Sequence, residues 1–117
     1  MYLPSMKPNN QLFKGSLTTI ILNLLSSEDK MYGYEITRKV KELSEGGLAL
    51  TEGALYPALH KLEADGLVEV SIEHIGNRAR KYYRLTRNGK KEAKNKLQEL
   101  HSFISQMQSI LQLKPGL

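Results

Sequence analysis

The chain contains no cysteine and no tryptophan, and only four prolines and two phenylalanines. Without thiols there is no disulfide, no thiolate nucleophile and no cysteine-based zinc or iron–sulfur site, which fits a reducing compartment. Its three histidines, His60, His74 and His101, lie far apart with no metal-ligand spacing among them, so they read as surface or half-buried imidazoles. Apolar runs fall well short of the ~20 residues of a membrane span, and the opening Met-Tyr-Leu-Pro-Ser-Met-Lys-Pro lacks the apolar core of a signal peptide. No nucleophile elbow, glycine-rich phosphate loop or paired carboxylates stand out, so neither catalysis nor a cofactor is expected. The expectation is a soluble chain of the cytoplasm, with no membrane partner.

At 117 residues the chain is expected to form one domain, small enough that a partner copy would help to bury its apolar surface. The formal charge is a modest +5, and its distribution says more than its size. From Gly76 to Lys96, nine bases (Arg78, Arg80, Lys81, Arg84, Arg87, Lys90, Lys91, Lys94 and Lys96) face Glu92 alone, a local positive field that attracts polyanions.

Residues 1–10 hold two prolines and two asparagines and read as a flexible arm. Leu12, Phe13, Leu17, Ile20, Ile21, Leu24 and Leu25 then keep a wide stripe of helical period through Ser26, broad enough for burial on more than one side. After the polar break Ser26 to Lys30, a second helix opens at Tyr32 with Ile36, Val40 and Leu43 on one face. Ser44-Glu-Gly-Gly ends it, and Leu48 to Leu50 is expected to lay a short strand.

Thr51 is suited to cap a third helix, in which Leu55, Leu59 and Leu62 form the apolar stripe and Gly66 is the stop. Pro57 lies beyond the first turn, so a bend or an irregular first turn is expected. Leu67 to Ile75 alternates as a strand, with Val68, Val70, Ile72 and His74 on one side. Gly76-Asn77 supplies the turn, and Arg78-Ala-Arg80 leads into a second strand from Lys81 to Thr86. A long helix follows over about Asn88 to Leu113, where Ala93, Leu97, Leu100, Ile104, Met107 and Leu111 recur at heptad spacing. Either that seam covers its own domain or it pairs with a second copy, and a helix placed after a finished hairpin has little core of its own to cover.

The order predicts a mainly α fold with a small β-hairpin, a winged helix-turn-helix over 11–86 followed by a C-terminal dimerisation helix over 87–117. The free face of the third helix presents Glu52, Gly53, Tyr56, Pro57, His60 and Lys61 to a major groove about 12 Å wide, with Thr51 at its start. Gly53 keeps the leading turn slim at a helix N-terminus that favours anions. Tyr56 is suited to a phosphate or a sugar, or equally to half-buried packing. Asn77, Arg78, Arg80 and Lys81 form a cationic wing tip that fits a DNA backbone or minor groove. A winged fold without DNA binding, serving protein interaction, is the alternative, and it would carry an uncharged wing.

Tyr32-Gly-Tyr-Glu-Ile36, Gly53-Ala-Leu-Tyr-Pro-Ala-Leu59, Leu62-Glu-Ala-Asp-Gly-Leu-Val68, Arg80-Lys-Tyr-Tyr-Arg-Leu-Thr86 and Gly89, in that order, resemble the PadR family of transcriptional regulators. The resemblance spans about residues 12–100 and is closest to the branch with a single C-terminal helix. It implies a homodimeric repressor of a roughly palindromic operator, with double-stranded DNA and itself as partners. Thr51 to Lys61 and Gly76 to Lys81 would be the DNA-contacting elements. Leu12, Phe13, Leu17, Leu97, Leu100, Ile104, Met107 and Leu111 are the expected dimer interface. Some members hold flat aromatic ligands at that interface against a tryptophan, which this chain lacks. Phe13, Leu17, Phe103 and Met107 remain to line a pocket for a small aromatic effector, or simply to pack there.

Overall fold

The computed structural model describes residues 10–113. Most of the arm expected over 1–10, and the end of the chain from 114, lie outside the described residues. Four helices and a small sheet follow in the order α1 (Gln11–Ser26), β1 (Met31–Tyr32), α2 (Gly33–Leu43), α3 (Glu52–Ala64), β2 (Val68–Ile75), β3 (Arg78–Leu85) and α4 (Arg87–Leu111).

Side-chain caps set three of the helix starts. Asn10 Oδ1 accepts the Leu12 amide at 2.8 Å, Thr51 Oγ1 that of Ala54 at 3.3 Å, and Thr86 Oγ1 that of Gly89 at 3.0 Å. Each satisfies an amide that has no partner within its helix. The core gathers the wide stripe of α1 (Phe13, Leu17, Ile21, Leu22, Leu24, Leu25), Ile36 and Val40 of α2, Leu55, Leu59 and Leu62 of α3, and Val68, Tyr83 and Leu85 of the sheet.

The sheet departs from expectation in three places. It has three antiparallel strands in the order β1-β3-β2, because Met31 and Tyr32 pair with Tyr83 and Tyr82 where a polar break running into a helix was expected. Leu48 to Leu50 forms no strand beyond a single bridge residue at Leu48. The Ser44 hydroxyl holds the Leu48 amide at 3.0 Å, folding this segment back on the end of α2 while Leu50 drops into the core. In addition, β3 starts at Arg78, so the hairpin loop is only Gly76-Asn77, with Ile75 opposite Arg78. Gly76 takes φ +63° and Asn77 stays negative, the combination of a II′ turn that matches the twist of the flanking strands.

Tyr83 is fully buried, and its hydroxyl finds no hydrogen-bond partner among the described residues. Burial pushes this hydroxyl above the ordinary tyrosine range, and nearby Tyr56 and Glu63 push in the same direction. An acid whose folded pKa is raised ionises first in the unfolded chain. Its contribution is therefore complete below about pH 10 and is lost as pH rises through the folded value. Tyr83→Phe is expected to be neutral or stabilising by about 1 kcal/mol at pH 7, since it removes an unpaired buried hydroxyl. Urea unfolding at pH 7 and above pH 10 checks this, the variant losing less stability than the parent across the alkaline step.

Candidate nucleic-acid interface

With Leu55, Leu59 and Leu62 fixed inward, the 3.6-residue period sends Gly53, Pro57, His60 and Ala64 down the opposite side of α3, and all four are exposed. Thr51, Glu52 and Lys61 are exposed as well, Lys61 lying 3.5 Å from Asp65 one turn on. A Cβ on Gly53 would meet nothing closer than Thr51 Oγ1 at 4.0 Å, so the leading turn is bare.

α3 runs unbroken through Pro57. Proline has no N–H to give the Gly53 carbonyl one turn earlier, so that helical hydrogen bond is missing on the same exposed face. Tyr56 is placed differently from its neighbours. It is half-buried on the flank of α3, and a Cβ on Gly33 would come within 2.5 Å of its hydroxyl oxygen. The ring therefore lies against the first turn of α2 and ties the two helices together.

Opposed residues of the hairpin share a face, which divides the wing's cations. Val68 and Val70, opposite Leu85 and Tyr83, cover the core, and Ile72 opposite Lys81 and His74 opposite Ala79 prolong that face beyond it. Arg78, Arg80 and Arg84 stand on the other face with Tyr82. The tip that reads as one cluster in sequence thus presents Lys81 on the helix side and the arginines on the outer side. Arg84 lies 3.8 Å from Asp29, whereas Arg78, Arg80 and Lys81 have no acidic partner within 4 Å among the described residues. Arg80 instead lies over the Tyr32 ring, its guanidinium carbon 4.4 Å from the centroid. Tyr32 carried no signal of this role in sequence, because β1 is only two residues long and was not expected to be a strand.

The residues expected at a dimer interface fall into two groups. Phe13 and Leu17 are buried in the chain's own core. Leu12, Leu97, Ile104 and Leu111 are exposed and Leu100 and Met107 half-buried, joined by Phe103 and Ile110, which widen the stripe along α4. Phe103 and Leu100 line a cleft of about 490 Å³ between α1, α3 and α4 whose other walls include Lys61, Asp65, Glu92, Lys96 and Glu99. Phe13, Leu17 and Met107 do not reach it. Among the described residues no group of three His, Asp or Glu side chains is placed to hold a metal ion. No described helix is long and apolar enough to cross a membrane.

Comparison with known proteins accords with this geometry. A transcriptional regulator of Mycobacterium tuberculosis is 38% identical over 65 residues, covering 56% of this chain and 58% of that protein. A solved transcriptional regulator from Clostridium thermocellum superposes with a TM-score of 0.78 at 29% identity, over 86% of this chain and 95% of that one. A PadR-like transcriptional regulator from Bacillus cereus does so with a TM-score of 0.76 at 28% identity, over 88% and 98%. The role these proteins carry is transcriptional regulation, not catalysis. Residues 21–95 match the transcriptional regulator PadR-like family, a stretch that takes in all of α2, α3 and the sheet, and the chain belongs to that family.

Proposed function

We infer that this chain is a sequence-specific DNA-binding repressor of the cytoplasm, acting as a homodimer on a palindromic operator. The observation that carries the reading is the pairing of a bare outer face on α3 with a wing whose Arg78, Arg80 and Lys81 make no ion pair among the described residues. One helix fits one major groove, and a wing beside it reaches the flanking backbone. Unpaired cations are what such a role requires, since each phosphate neutralised releases condensed counterions.

Dimerisation is supported by α4. Past Ala93 its apolar side chains leave the core, with Leu97, Ile104 and Leu111 each about half exposed along a molecule 53 Å long. Covering the exposed half of each would contribute roughly 0.7–1.5 kcal/mol per side chain before the cost of association. Two copies joined there would bring two α3 helices to one duplex, and occupancy of such a site blocks transcription.

Thr51, Glu52, Gly53, His60 and Lys61 are the residues assigned to the groove, with Tyr56 holding α3 against α2 at its edge. His60→Ala should change which duplexes are preferred, by about 1–3 kcal/mol at the base pair it reads, with little effect on random DNA. Selection of bound sequences by the parent and the variant tests this, and an equal loss on selected and random duplexes would show that His60 reads no base.

A further inference from the structure

The outer face of the wing poses a problem of charge that the fold resolves. Glu73 of β2 stands directly opposite Arg80 of β3 in the antiparallel register, a position from which a free carboxylate can pair with its cross-strand arginine. Arg80 is not taken. The Glu73 carboxylate is ion-paired with Lys30, which arrives from the residue before β1, 43 positions away in sequence. Lys30 is itself steadied by the Tyr82 ring, its ammonium 4.8 Å from the centroid. The Arg80 guanidinium rests instead over Tyr32, whose ring meets Tyr82 edge-on at 5.5 Å. Tyr32 is fixed in turn by strand pairing with Tyr82, and its amide donates to Glu35 Oε1 at 3.1 Å.

We propose that Lys30 and Tyr32 are positioning residues for the wing. Lys30 occupies the carboxylate that would otherwise neutralise Arg80, and Tyr32 carries the guanidinium on its ring face, leaving its N–H donors for a DNA phosphate. The arrangement rests on the DNA-binding reading and adds to it a dependence on two residues outside the reading helix and the wing. A ring face suits this task because it holds the planar cation without using the N–H groups in its plane. A carboxylate would consume them and cancel the charge. Arg84, four positions further along β3 on the same face, lies 3.8 Å from Asp29 and makes no ion pair with Glu69 across the strands.

The test is a charge cycle on the full chain with a random-sequence duplex, binding being followed by fluorescence anisotropy across a salt series. Lys30→Met should free Glu73 to capture Arg80, lowering the salt slope by about one unit and weakening binding on the order of tenfold near 0.1 M salt. Glu73→Gln alone should bind as well as the parent or better. The double variant, Lys30→Met with Glu73→Gln, should recover the parent slope, and Tyr32→Phe should keep it where Tyr32→Leu does not. Unfolding midpoints of all variants separate these effects from loss of the fold. A double variant as weak as Lys30→Met would mean that Lys30 touches phosphate itself and would overturn the proposal, as would a Lys30→Met variant that binds like the parent. If the parent failed to bind duplex DNA, the DNA-binding reading would fall and take this proposal with it, whereas a parent that binds with an unresponsive cycle removes the positioning role alone.

Discussion

Gly89→Ala is expected to destabilise the chain by roughly 3 kcal/mol, the upper end of what overpacking usually costs, with a fall in Tm on the order of 10 °C. The position is the third residue of α4 and is buried. A Cβ there would overlap the carbonyl oxygen of Leu67, with the Leu67 carbonyl carbon at 2.9 Å and Leu85 Cδ2 at 3.2 Å. Two of these are backbone atoms that have little room to retreat. The Leu67 carbonyl accepts the Thr86 amide at 3.1 Å, and the Gly66 carbonyl accepts the Thr86 hydroxyl at 2.6 Å. This junction clamps the start of α4 to the turn that ends α3, so the same substitution should move the proposed reading helix relative to the proposed dimer helix. Gly15→Ala is the control. It lies in α1 with nothing within 4 Å of a new Cβ, and should stabilise by about 0.5–1 kcal/mol. Thermal unfolding of both variants decides the matter, and similar midpoints would remove the close-approach account.

Replacing Arg78 and Arg80 together by glutamine should lower the salt slope of binding by about two units and weaken affinity on the order of fiftyfold near 0.1 M salt. Neither arginine has an acidic partner within 4 Å among the described residues, so no ion pair there is broken and the binding loss is not offset by one. The fold should tolerate the change. Arg78 is exposed, and losing the contact of Arg80 with Tyr32 costs about 0.5–1 kcal/mol. An unchanged slope would remove the wing from the mechanism.

The helices were legible from their apolar periods, and for α3 both ends were legible too, with Thr51 as its cap and Gly66, at φ +74°, as its stop. The start of α1 was not, since Asn10, which caps it, reads in sequence as part of the arm. β1 was not legible, since two residues show no period and become a strand only when Tyr82 and Tyr83 arrive from 50 positions further along the chain. Phe13 and Leu17 illustrate a second limit. An apolar stripe announces burial but not whether its own chain or a partner supplies the cover, and here the chain's own core does. The wing's charge was visible as a run, whereas its division between two faces and the Lys30 pairing with Glu73 follow from strand register. Pro57 was expected to bend α3 or make its first turn irregular. In the fold the helix runs through it from Glu52 to Ala64, and proline's missing N–H removes one helical donor on the face assigned to DNA.

The most direct test of the central claim is hydroxyl-radical footprinting of the full chain on a duplex selected from random DNA. Two copies joined through α4 predict two symmetry-related protected segments, their centres about 10–10.5 base pairs apart or a multiple of that. A single protected segment, or no protection at any concentration that saturates the duplex, would contradict it.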